Sequence, residues 1–185
     1  MNNQSMRLRR LTQGAVIAAA YAALTYAAAL ANLAYGPVQF RFSEALTILP
    51  VFTSAAVPGL TIGCLLANIF SGYGMYDMVF GTLATLLAAI GTHLVRRIRF
   101  RGVPVLAPLP PILLNAVIVG AEITALSPGG FAWAVFWPTA GSVGLGEFVV
   151  CYALGLPLAL ALEKNPAIRR IVSAPTPRNF ILRKK

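Results

Sequence analysis

The sequence is poor in charge: 11% of its 185 residues are Asp, Glu, Lys or Arg, and only five of them are acidic. With 58% hydrophobic residues and a mean hydropathy of +0.75, it has too little polar surface to coat a water-soluble domain. Histidine occurs once, at His93, far along the chain from the acids that a metal site or a general base would need beside it. The two cysteines, Cys64 and Cys151, form no CxxC and lie inside apolar runs, so they read as small buried hydrophobes rather than metal ligands or a disulfide. No Walker A loop of the form GxxxxGKS or GxxxxGKT occurs, so any ATP dependence must come from a partner. GxSxG and HExxH are missing as well, which counts against the commonest hydrolase chemistry, and no nucleophile, base and orienting group assemble from the motifs, so an enzyme is not expected. "GSVGLGE" at 141–147 is glycine-rich but sits in an apolar run without the strand of a dinucleotide fold; close helix packing explains it better. Neither a metal nor a cofactor is expected in this chain.

What the chain does have is long apolar runs, and these predict an all-α integral membrane protein. Between Gly, Pro and charged punctuation they cover 11–35, 43–53, 57–71, 77–95, 108–126 and 137–163, which makes six spans. The second and third are short, separated by "TSAAVPG", and are expected as two tilted or partly embedded helices rather than one broken span. "MRLRR" followed by an alanine-rich stretch has the parts of a signal peptide, but the run at 11–33 is long enough to cross about 30 Å and reads as the first span.

The net charge of +10 comes from bases outside these runs, where they meet anionic headgroups; the bilayer explains the charge better than nucleic acid does. Arg7, Arg9 and Arg10, then Arg96, Arg97, Arg99 and Arg101, then the tail at 164–185 all fall on one side of a six-span layout. The positive-inside rule makes that side, and both termini, cytoplasmic. The chain thus divides into a basic N-terminus at 1–10, a membrane domain at 11–163 and the basic tail. The opposite loops hold a single base, Arg41, and carry Tyr35, Tyr73, Tyr76, Trp133 and Trp137 as an interfacial belt.

Orientation gives each acid a depth. Glu44 and Asp77 start helices entering from outside, Glu122 lies four residues before the outer end of its span, and Glu147 lies about ten residues in. These four share the outer half, whereas Glu163 sits beside Lys164 at the inner edge. A charge at the centre of a membrane helix costs roughly 2.5 to 3.5 kcal/mol, so the acids need partners, water or a ligand. Ser43 before Glu44 reads as an N-cap, and Asp77 suits a first turn; Glu122 and Glu147 have no such local reason and are the stronger binding candidates. Asn115 shares a helix face with Glu122, Asn68 lies near the outer end of its span, Arg41 can pair with a site acid, and Trp137 can stack a flat ring. Such a lining suits a planar heterocycle with amino groups and suits a phosphate poorly. In the first span, small residues four apart at Ala18/Ala22, Ala19/Ala23 and Ala23/Ala27 allow a close helix approach, inside the bundle or to a partner.

The runs "YGPVQFRFSEALTILPVFT", "PGLTIGCLLANIFSG", "DMVFGTLATLLAA", "LAPLPPILLNAVIVGAE" and "VGLGEFVVCYALGLPL", in this order across residues 7–163, resemble the QueT family of queuosine-precursor transporters. These are substrate-binding S components of energy-coupling factor (ECF) transporters. The resemblance implies a six-helix subunit that captures its substrate from outside and works with a transmembrane coupling subunit and two cytoplasmic ATPases, which use the ATP. It implies that the first helix, at Ala18, Ala22 and their neighbours, faces the coupling subunit. The implied substrate is queuine or a related deazaguanine, whose paired donors would meet Glu122 or Glu147. Glu44 or Asp77 would then serve an exocyclic ammonium, and Asn115 and Asn68 the ring carbonyl. The competing expectation is a stand-alone secondary carrier or channel in which the acids bind cations or relay protons.

Overall fold

A computed structural model describes residues 3–33 and 40–165. Every regular element among them is helical: α1 (Asn3–Leu30), a 3₁₀ segment (Phe42–Val51), α2 (Ala56–Asn68), α3 (Met75–Val95), α4 (Leu109–Ala125), α5 (Trp133–Val150) and α6 (Leu156–Lys164). A single π-helical turn, Cys151–Gly155, joins α5 to α6, so one helix runs unbroken over 32 residues.

Three of these helices are long and apolar enough to cross a membrane: Gln4–Leu30, Met75–Val95 and Trp133–Lys164. The other three segments are apolar but shorter. No more than 33% of each long helix's most apolar stretch is buried inside the molecule, which leaves wide apolar faces turned outward. In water such faces would aggregate; in lipid they need no cover.

The helix bounds depart from the apolar runs where local chemistry permits. α1 begins within the basic N-terminus instead of at Leu11, because Met, Arg and Gln are good helix formers whatever their polarity. It ends on Asn32, held at φ 57° while Leu33 N–H donates to Ala28 O and Asn32 N–H to Ala29 O, each at 2.9 Å. That is a Schellman ending with Asn in place of glycine. The last helix starts at Trp133 rather than at 137, which moves Glu147 to about the middle of the continuous stretch instead of its outer part.

Contacts between neighbouring segments give their directions. Thr25 meets Ser43 and Gln13 meets Thr53, so the 3₁₀ segment runs antiparallel to α1. Gly59 lies on Gly14, and Tyr26 donates to Leu66 O, so α2 returns parallel to α1. Cys64 with Thr85 and Asn68 with Asp77 set α3 antiparallel to α2. Pro110 against Gly91 and Ala140 against Gly120 reverse α4 and then α5 in turn. The 3₁₀ segment is buried over most of its length, with Ser43, Glu44, Ala45 and Thr47 to Val51 all inside. At about 2 Å of rise per residue it reaches further than ten α-helical residues would.

Close packing of α1 on α2 depends on two glycines four residues apart. A Cβ on Gly59 would stand 2.8 Å from Gly14 O, and one on Gly63 would stand 2.8 Å from both Ala18 O and Tyr21 Cβ. Ala18 is buried in this contact and Ala22 is buried as well, whereas Ala19, Ala23 and Ala27 face outward. The two registers of small residues on α1 serve opposite faces of the helix.

Candidate functional site

The polar interior is built at the end of the bundle where α1, α2 and α4 finish and α3 begins. Arg41 precedes the 3₁₀ segment and its guanidinium Nη2 lies 3.2 Å from Asp77 Oδ2, both side chains almost wholly buried. Asn68 completes a triad: its Nδ2 donates to Asp77 O at 2.8 Å, and its Oδ1 faces Arg41 Nη1 at 3.5 Å. Asp77 does stand in the first turn of α3, yet its carboxylate is committed to Arg41. A buried pair of this kind is strongly destabilised when one partner is removed.

Deeper in, Glu44 is 2% exposed and accepts a hydrogen bond from the Tyr21 hydroxyl through Oε1, while Oε2 has no partner. The expected N-cap at Ser43 is not formed: the cap position is Arg41 with no side-chain bond, and Ser43 Oγ instead accepts from Thr25 Oγ1 at 2.7 Å. Tertiary partners across the helix pair have displaced the local cap.

Glu147 projects from α5, and its Oε1 accepts from Asn115 Nδ2 at 2.9 Å. Cys151, at the start of the π turn, lies 3.6 Å from both Glu147 Oε2 and Glu44 O, and 3.7 Å from Thr47 Oγ1. A continuous polar chain thus runs from Tyr21 through Glu44 and Cys151 to Glu147 and Asn115. Cys64 takes a similar place on the other side, accepting from Thr85 at 3.1 Å and from Asn68 at 3.4 Å. Both cysteines are buried, as expected, but they also link polar groups.

Glu122 differs from the other acids. It is 6% exposed, and neither carboxylate oxygen has a hydrogen-bond partner. It borders a cavity of about 620 Å³ between α3 and α4, walled by Tyr76, Phe80, Val117, Leu126 and Phe131 among others. Among the described residues Arg41 is the one buried base, against four buried acids, Glu44, Asp77, Glu122 and Glu147.

Of the candidates read from the sequence, Arg41, Asn68 and Asp77 form one hydrogen-bonded group and Glu44, Asn115 and Glu147 belong to a second, while Glu122 belongs to neither. Trp137 stands apart: it is 68% exposed, and its ring contacts are with Trp133 and Phe136. Trp133 and Tyr76 are similarly exposed, while Tyr35 lies outside the described residues. Sequence reasoning does not single out Tyr21, Thr25, Thr47 or Thr85; the one available signal is a polar side chain recurring on the inward face of an apolar helix. Among the described residues no group of three His, Cys, Asp or Glu side chains is placed to hold a metal ion.

Outward apolar faces around a buried, acid-rich interior define the class: a helical membrane protein. A model of the QueT transporter family matches residues 11–164, and the chain belongs to that family, whose members are transporters and not enzymes. Over 73 residues it is 38% identical to the queuosine precursor transporter QueT of Lactococcus lactis subsp. cremoris (strain MG1363). That stretch is 40% of this chain and 43% of the relative, so the match spans less than half of the relative's length. No solved structure matches the chain.

Proposed function

We propose that this chain is the substrate-capturing subunit of an ATP-driven importer in the plasma membrane, taking up queuine or a related deazaguanine from outside. In this reading it crosses the membrane six times with both termini cytoplasmic, and passes its cargo inward with a transmembrane coupling subunit and two ATPases. The alternating directions of the six helical segments and the one-sided placement of the bases support the layout. The lack of a Walker loop supports the need for separate ATPases. The outward register of Ala19, Ala23 and Ala27 offers the coupling subunit a face that small residues let approach closely, whereas Ala18 packs on α2 and Ala22 is buried.

The observation that carries the substrate class is the excess of buried acids over Arg41. Carboxylates accept hydrogen bonds and repel anions, so the interior suits a ligand with several N–H donors or a positive charge. A deazaguanine presents a flat ring, two adjacent donors and, in the aminomethyl precursor, an ammonium.

The test is titration of the purified chain in detergent with queuine, its aminomethyl and cyano precursors, guanine, riboflavin and thiamine, followed by Trp133 and Trp137 fluorescence and calorimetry. Binding of deazaguanines alone is expected; binding of none removes the substrate assignment. Copurification of a coupling subunit and ATPases is expected as well, whereas uptake by the chain alone, driven by an ion gradient in proteoliposomes, would establish a secondary carrier instead.

A further inference from the structure

The acids of the interior are not equivalent, and the difference assigns the ligand contact. Asp77 is committed to Arg41, Glu147 to Asn115, and Glu44 to Tyr21 through one oxygen. Glu122 alone among them has two buried oxygens without partners. A buried carboxylate that accepts nothing carries an uncompensated desolvation cost, so it is the group that a donor-bearing ligand would relieve most.

Its surroundings fit such a ligand. The cavity it borders, about 620 Å³, falls within the range of sites for small molecules. Tyr76, Phe80 and Phe131 supply aromatic walls, and Glu122 is the one charged residue in the lining. Apolar and aromatic walls with one convergent carboxylate suit a planar ring that carries two adjacent N–H donors on one edge, since a carboxylate can accept both side by side. A lipid acyl chain would fill the walls but leave both oxygens unsatisfied.

We propose that Glu122 is the specificity-determining residue of this chain. It accepts the adjacent ring N–H and exocyclic amino group of a flat purine-like heterocycle whose ring lies in the α3–α4 cavity, while Glu44 and Glu147 hold the interior together. This rests on the deazaguanine reading above and goes further in choosing one acid and one cavity.

The experiment pairs a ligand edit with a protein edit. Binding of 7-deazaguanine and of 7-deazahypoxanthine, which lacks the 2-amino group, is measured by calorimetry on the wild type, Glu122→Gln and Glu147→Gln. The wild type is expected to prefer the amino ligand by on the order of tenfold, the value of one charge-assisted hydrogen bond. Glu122→Gln should bind both ligands alike, and Glu147→Gln should keep the preference. Preference retained in Glu122→Gln, or lost in Glu147→Gln alone, overturns the assignment. A wild type that binds no deazaguanine of any kind overturns the deazaguanine reading and this assignment with it. If Glu122→Gln does not fold, Phe131→Ala replaces it: equal weakening of both ligands is expected, and unchanged affinity for both would put the ring elsewhere and overturn the proposal.

Discussion

Glu147 on α5 and Glu122 on the neighbouring α4 are both buried acids, yet one is tied into its surroundings and the other is not. Glu147 accepts from Asn115 on the adjacent α4 and lies beside Cys151, one turn further along its own stretch. Glu122 is buried to a similar degree and has no hydrogen-bond partner for either oxygen. A carboxylate paired within the fold contributes to stability, and removing its partner exposes a desolvation cost. A carboxylate left unpaired costs stability and persists where it has another use. Under the proposal made here, this difference separates acids that support the bundle from the acid that takes the ligand.

The largest effect expected from disturbing the supporting side comes at Arg41. Arg41→Ala leaves Asp77 buried and unpaired, and should cost about 3 to 5 kcal/mol. Thermal unfolding in detergent measures it, and adding Asp77→Asn should restore much of the loss; a double variant no better than Arg41→Ala would deny that the pair is the cause. Asn115→Ala takes the donor from Glu147 and should cost about 1 to 3 kcal/mol in the same assay.

The α1–α2 contact gives a prediction of similar size without charge. Gly63→Ala places a methyl group 2.8 Å from Ala18 O and Tyr21 Cβ, and should cost about 1 to 3 kcal/mol through overpacking. Ala23→Leu, on the opposite and outward register, should change the stability of the isolated chain by less than about 0.5 kcal/mol. It should nonetheless reduce copurification of the coupling subunit. Equal copurification from Ala23→Leu and the wild type would remove that face from the interface.

Much of this organisation is legible in the amino-acid sequence. Long apolar runs locate every helix to within several residues, because in lipid the backbone has few alternatives to helix. Scarcity of charge singles out the acids and Arg41, since each buried charge in so apolar a chain needs a physical reason. The local rules fail where distant segments decide. Ser43 stands where it could cap its own helix but bonds Thr25, and residues 42–51 tighten into a 3₁₀ form that no local pattern announces. Tyr21 reads as one more residue of an alanine-rich span. Its hydroxyl reaches Glu44, 23 residues further along the chain, only because the 3₁₀ segment folds back on α1. The Gly59–Gly63 spacing is a legible signal for close packing on α2, and it explains why Ala18 is used internally.

The most direct test of the division between supporting and ligand-binding acids is thermal unfolding of Glu122→Gln and Glu147→Gln, each with and without saturating deazaguanine. Ligand at one hundred times its dissociation constant should stabilise the wild type by about 2.7 kcal/mol. Glu122→Gln should unfold at the wild-type temperature or above it when empty, and should lose most of the stabilisation by ligand. Glu147→Gln should unfold earlier when empty and keep the ligand's stabilisation. The opposite pattern, with the empty protein weakened by Glu122→Gln and the ligand effect lost in Glu147→Gln, would contradict the account.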